Sequence, residues 1–437
     1  MSLFISFSKT PSITLPRQPE LAFSGCRTRQ IRVRSRKILK KEKYAMSRLY
    51  FFILVLLVSI SGFSQGMLLP VISVIFETNG ESAAINGLHA TGLYIGVLLA
   101  SPFMEAPLRK LGFKPLMVMG GFLVIISLFS FIWLQSIWLW FFLRLLIGIG
   151  DHMLHFSTQT WVTSKSTPRN RGRNISLYGL SFGLGFAVGP FMVPLVKTSP
   201  SLPFIVSGCI SLAAWLFVFV LRNEYPAQGP DETSGDNSAK RFYRALLFGW
   251  VAFLPAFGYG FLETALNGSF PVYALRLGIS VDAVALILPA FAIGSIVFQF
   301  PLGLLSDRFG RKRVLLVILL TGALCFLTAG LFSSPSVIGC CFFTAGMAVG
   351  SMFSLGISYM SDLLPSHLLP AGNLLCGISF SLGSMIGPVA GGWYMQRFES
   401  ANLFYFITVI LVCIWLALVF GKTKHSPASE SHSFPAS

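Results

Sequence analysis

Long apolar runs alternate with short polar breaks along most of the chain, and the runs have the length of a bilayer crossing. A helix rises about 1.5 Å per residue, so a hydrocarbon core of ~30 Å takes about 20 apolar residues. Twelve runs meet that length, and they predict helices over about 48–76, 84–108, 114–134, 137–162, 174–196, 203–222, 244–273, 281–305, 313–332, 336–360, 371–396 and 402–421. The fold class expected is an all-α membrane protein of twelve transmembrane helices. The longest polar break among them, Arg222 to Arg244, is rich in Pro, Gly, Ser and acidic residues and reads as a flexible linker. It divides the chain into a six-helix half over 47–222, a linker over 223–243 and a second six-helix half over 244–421. Residues 422–437 lack apolar periodicity and read as a disordered tail.

The halves are related in sequence. Gly179–Pro190 in helix 5 and Gly377–Pro388 in helix 11 share the pattern Gly-x-Ser-Phe-x-Leu-Gly-x-x-x-Gly-Pro at an offset of 198 residues. Internal repetition of this kind is common among transporters, and here it implies a duplicated, pseudo-symmetric six-helix unit.

Composition removes the soluble alternatives. With 54% hydrophobic and 11% charged residues, and a mean hydropathy of +0.72, the chain cannot cover a soluble globule of its size with polar surface. The net charge of +17 would suggest nucleic acid if the basic residues formed one face. Instead they fall almost wholly on one side of the membrane. With the N-terminus placed in the cytoplasm, only Lys197, Arg276 and Arg397 lie outside, and Arg144 lies within a helix. This positive-inside bias predicts a multi-pass protein of the cell membrane with both termini cytoplasmic and no nucleic-acid partner.

Residues 1–46 carry eleven Lys or Arg against Glu20 and Glu42. Three readings stand side by side: an organelle-type leader, a basic arm drawn to anionic lipid, and an upstream extension with translation starting at Met46. The seven cysteines show no paired spacing and read as small apolar fillers.

Gly303-Leu304-Leu305-Ser306-Asp307-Arg308-Phe309-Gly310-Arg311-Lys312-Arg313 reads as a two-turn cytoplasmic link between helices 8 and 9. It resembles the loop signature of the major facilitator superfamily, and the resemblance makes Asp307, Arg308, Gly310 and Arg311 a gating loop. A helix-end carboxylate that holds arginines stabilises one closed arrangement and must release them for another. The equivalent link, Glu105 to Lys114, keeps a glycine but has Arg109 where Asp is expected. Arg144-Leu145-Leu146-Ile147-Gly148-Ile149-Gly150 resembles the family's helix-4 signature, whose arginine is associated with proton transfer. Gly185, Gly189 and Pro190 resemble its helix-5 exporter motif, although Val193 and Pro194 depart from the small residues usual there. Gly383, Gly387 and Pro388 repeat the motif in helix 11. The same spacing also has a packing reading, since small residues allow tight helix crossing. The resemblance covers about residues 48–421.

Ionisable groups inside membrane helices are costly and mark candidate sites. At about 100° per residue, Arg144, Asp151 and His155 fall on one face of helix 4, and Gln159 continues it. Tyr259, Glu263 and Asn267 form a second stripe in helix 7. In the fold that the resemblance implies, helices 1, 4, 7 and 10 line a central cavity, so both stripes and Gln65 of helix 1 are expected to face it. Arg144, Asp151 and Glu263 are then candidates for proton coupling, and Gln65, His155, Gln159, Tyr259 and Asn267 for the substrate cavity.

The function expected is secondary transport by alternating access, as proton-coupled efflux of small amphipathic molecules. Two alternatives are a proton-coupled importer of a sugar, organic anion or other nutrient, and a non-transporting sensor that keeps the fold. There is no GxxxxGK[ST] phosphate loop and no catalytic constellation, so no enzyme is expected. The spacing of His152 and His155 is too weak for a metal site, and no metal or cofactor is expected. The partners expected are lipid, a small-molecule substrate and protons, with the chain acting as a monomer.

Overall fold

The computed structural model describes residues 48–134, 136–166, 171–226, 238–365, 368–398 and 402–421. The expected leader, the central part of the linker and the tail lie outside the described residues. Among the described residues twelve helices are long and apolar enough to span a bilayer: α1 Arg48–Thr78, α2 Ala83–Phe103, α3 Phe113–Trp133, α4 Ile137–Lys165, α5 Arg173–Lys197, α6 Leu202–Val220, α7 Phe242–Arg276, α8 Val281–Phe309, α9 Arg311–Leu331, α10 Pro335–Leu363, α11 Ala371–Arg397 and α12 Leu403–Phe420. An even number of crossings puts Arg48 and Phe420 on one side, here termed the terminal side.

Two expectations about the links need correction. Helix 2 stops at Phe103, and Glu105–Leu111 forms a short separate helix before α3. The link between α8 and α9 is one residue. Asp307, Arg308 and Phe309 belong to the last turn of α8, Arg311 opens α9, and Gly310 alone makes the turn with φ 90°. That backbone region strains any residue with a Cβ, so glycine ends the helix there.

The repeat seen in helices 5 and 11 extends through the two halves at the same offset. Gly112 precedes α3 as Gly310 precedes α9, both with φ 90°. Ser82 and Ser280 cap α2 and α8 by accepting from the backbone N–H three residues on. A Cβ on Gly62 would lie 2.3 Å from the Phe182 carbonyl, and one on Gly260 would lie 2.2 Å from the Phe380 carbonyl. Each half therefore crosses its first and fifth helices at backbone contact distance.

At the side opposite the termini the halves are held together by polar contacts. Arg276 pairs with Glu77 at 2.8 Å, and Lys197 with Asp282 at 2.5 Å. In α7 the helix widens into a π turn at Ala265–Ser269, and the Gly268 carbonyl accepts from both Ser73 Oγ and Asn86 Nδ2 at 2.8 Å. Pro388 of α11 also presses on α2, where a Cβ on Gly87 would meet its carbonyl at 2.1 Å.

Candidate functional site

Between the halves lies a cavity of about 390 Å³. Helices α5 and α8 contribute much of its wall, with Phe182, Phe186 and Pro190 on one side and Phe291, Ser295 and Gln299 on the other. From α7 come Tyr259, Glu263, Leu266 and Asn267; α1 gives Gln65, α2 gives Tyr94, α10 gives Phe353 and Ser354, and α11 gives Phe380.

Aromatic faces dominate this lining. Tyr259 stacks on Phe380 with centroids 6.2 Å apart, Phe353 meets Phe380 edge-on at 5.4 Å, and Tyr94 meets Phe380 at 6.4 Å. Hydrogen-bonding capacity comes from Gln65, Asn267, Ser295, Gln299 and Ser354. Part of it is committed, since Asn267 Nδ2 donates to the Glu263 carbonyl at 2.8 Å and Gln299 Nε2 to Ser354 Oγ at 3.2 Å. Among the described lining residues Glu263 is the one carboxylate, and no Lys, Arg or His accompanies it. A flat cation satisfies both the ring faces and the acid.

The helix-7 stripe and Gln65 therefore meet in one cavity, but the helix-4 stripe does not join them. Arg144, Asp151 and His155 do share a face, and that face is turned to α1. Asp151 accepts from Ser61 Oγ at 2.5 Å, and seven residues further along each antiparallel helix Arg144 Nη2 donates to the Leu68 carbonyl at 3.1 Å. Arg144 and Asp151 are each 1% exposed, and neither lines the cavity. Gln159 is exposed and also outside the lining. That face meets α1 at Ser61 and Leu68, and α1 in turn crosses α5 at backbone contact distance.

A buried polar chain results. Ser61 Oγ lies 3.0 Å from His155 Nε2, His155 Nδ1 lies 2.8 Å from the Tyr178 hydroxyl, and that hydroxyl lies 3.1 Å from Thr158 Oγ1. Gln65 lines the cavity and stands one helical turn along α1 from Ser61, the donor to Asp151. His152 turns away from His155 and meets Ser101 at 3.1 Å. Arg144 Nη1 has no hydrogen-bond partner, and among the described residues no carboxylate reaches Arg144 at ion-pair distance.

On the terminal side, Arg311 is bound by Asp362 at 3.1 Å, by Asp307 at 3.4 Å and by the Ser358 carbonyl. Asp362, at the end of α10, was missed in the sequence reading; an acid at a helix end facing a basic turn was the signal for it. Arg308 lies over the Phe309 ring at 5.7 Å. In the first half Arg109 pairs locally with Glu105 at 2.6 Å, and Glu224 instead binds Lys165 at 2.7 Å. The helix-5 and helix-11 glycines serve close crossing, as a Cβ on Gly185 or Gly383 would lie 1.8 or 2.0 Å from a backbone carbonyl of the first helix of its half. A Cβ on Gly189 or Gly387 would likewise come within 2.5 Å of α1 or α7 backbone.

Two six-helix units around a central, largely aromatic cavity, with twelve spans among the described residues, define a multi-pass membrane transporter, not an enzyme. The sequence model of the Major Facilitator Superfamily matches residues 54–278 and 252–436, and the chain belongs to that superfamily. It is 81% identical over 388 residues to the MFS-type transporter YfkF of Bacillus subtilis (strain 168), covering 89% of this chain and 99% of YfkF. The MFS-type transporter YcaD of Escherichia coli O45:K1 (strain S88 / ExPEC) is 24% identical over 80% of this chain and 89% of its own length. Among solved structures, a bacterial homologue of the human lysosomal transporter Spinster matches with TM-score 0.68 at 14% identity, over 86% of this chain and 96% of its own. The nucleoside transporter NupG matches equally well, at TM-score 0.68 and 14% identity, over 85% and 98%.

Proposed function

We propose that the protein is a proton-coupled exporter of small amphipathic cations, working in the cell membrane with its terminal side in the cytoplasm. The observation that carries this reading is the lone Glu263 carboxylate set among aromatic faces with no basic residue beside it in the cavity. An organic monocation and a proton compete for such a group, and neither binds well while the other is there. This competition is the coupling: rocking of the halves delivers the loaded cavity outward and the protonated cavity inward. The far-side ion pairs then hold the cytoplasm-facing state. Import of an organic anion is disfavoured by the position of Arg144, which lies outside the cavity wall.

The test is proton movement in everted vesicles, followed with a pH-sensitive dye against a panel of organic cations, anions, sugars and nucleosides. Release of protons from the vesicle lumen on adding a cation, lost in Glu263→Gln, is the expected result. A response confined to sugars, anions or nucleosides, or release undiminished in the variant, overturns the reading.

A further inference from the structure

The halves match closely at the level of backbone contacts, so the places where their side chains differ are informative. At the 198-residue offset Gln65 corresponds to Glu263, both on the cavity wall. Asp151, His155 and Tyr178 correspond to Val349, Phe353 and Cys376, so the buried polar chain exists in the first half alone. Asp151 is 1% exposed, its Oδ2 has no hydrogen-bond partner, and it lies on a small space of about 20 Å³ shared with Ser64, whose Oγ also lacks a partner. That volume admits one water molecule, for which roughly 10–15 Å³ is needed.

We propose that Asp151, Ser61, His155 and Tyr178 form a proton-exchange site of the first half, distinct from the substrate cavity and joined to it through Gln65. The groups facing Asp151 are Ser61 and Gln65 from α1 and His155 on its own helix, with Tyr178 of α5 and His152 just beyond. The α3 and α6 residues around that space, among them Val124, Ser211 and Trp215, bring no charge. From Asp151 to Thr158 the chain descends seven residues of α4, about 10 Å, towards the terminal side. Uptake balances in four moves. A proton arrives on the Tyr178 oxygen as the tyrosine's own hydrogen passes to His155 Nδ1. His155 gives up its Nε2 hydrogen to Ser61 Oγ, and Ser61 passes its hydrogen to Asp151 Oδ1. One proton has entered, Asp151 is neutral, and His155 has exchanged tautomers. Run backwards, the same moves release a proton held on Asp151 towards the terminal side, the direction that an inward-moving proton takes.

This goes beyond coupling at Glu263, and its test needs no substrate. The full chain in lipid nanodiscs is followed by infrared difference spectroscopy across a pH series, reading the carbonyl band of protonated carboxyl groups. A component lost in Asp151→Asn and kept in Glu263→Gln is the expected result, while loss in Glu263→Gln alone, or an unchanged spectrum in Asp151→Asn, overturns the proposal. Should Asp151→Asn not fold, Ser61→Ala keeps the acid but removes its donor. It must shift that component, and an unmoved band is equally fatal. After a pH jump, Tyr178→Phe should slow the component's appearance at least tenfold without changing its final amplitude, a kinetic effect that a purely structural hydrogen bond does not produce.

Discussion

Arg144 is the residue whose surroundings least resemble its expected role. A guanidinium with five donors is buried at 1% exposure, yet among the described residues one backbone carbonyl is the only hydrogen-bond partner seen for it. Burying a charge without a counter-ion is expensive, and exchange of such groups for apolar ones of similar volume is often neutral or stabilising. Arg144→Met is therefore expected to leave the thermal unfolding midpoint in detergent unchanged or to stabilise by about 1 kcal/mol. A drop in midpoint would mean that Arg144 has a structural partner. If activity falls while stability holds, the arginine is retained for a step of the transport cycle.

At the scale of elements, the glycines separate those that permit a crossing from those that do not. Gly185 and Gly383 each stand against a backbone carbonyl of the first helix in their half, whereas Gly179 has nothing within 4 Å of its Cβ position. Gly185→Val and Gly383→Val should each destabilise by about 1–3 kcal/mol, the usual penalty for forcing atoms into a filled contact. Gly179→Ala should leave the melting curve where it was, and equal losses at all three positions would refute this assignment. The same level shows what the sequence disclosed. Twelve spans, the duplication and the Tyr259–Glu263–Asn267 stripe were legible because bilayer length and helical spacing leave direct marks. Tyr94, Gln299 and Phe380 were not, since no ionisable stripe marks their helices in the sequence, and only the crossing geometry turns them inward. The helix-4 stripe was read on the correct face but assigned the wrong neighbour. Periodicity tells which residues share a side and is silent about what that side meets.

For the whole molecule, the far-side contacts set the balance between the two access states. The Arg276–Glu77 and Lys197–Asp282 pairs are partly exposed, so each contributes on the order of 0.2–1 kcal/mol, and salt weakens both. Replacing Glu77 by Gln and Lys197 by Met together should raise the population open on the side opposite the termini by about two- to thirtyfold, an estimate that follows from those energies. Spin labels on the outer ends of α1 and α7 would show it as a longer-distance component that grows. No change in the distance distribution would assign the closure to the Gly268 hydrogen bonds and helix packing alone.

Two carboxyl groups lodged in separate places also have an electrical meaning. In the export cycle proposed above, an exchange of one monocation for one proton at Glu263 moves no net charge, and the membrane voltage neither helps nor hinders it. A second proton carried at Asp151 leaves each cycle with one positive charge moving inward. Each 100 mV of membrane potential then adds about 2.3 kcal/mol to the force expelling the substrate. In that cycle the buried aspartate of α4, outside the cavity wall, decides whether transport runs on the pH gradient alone or on the full protonmotive force.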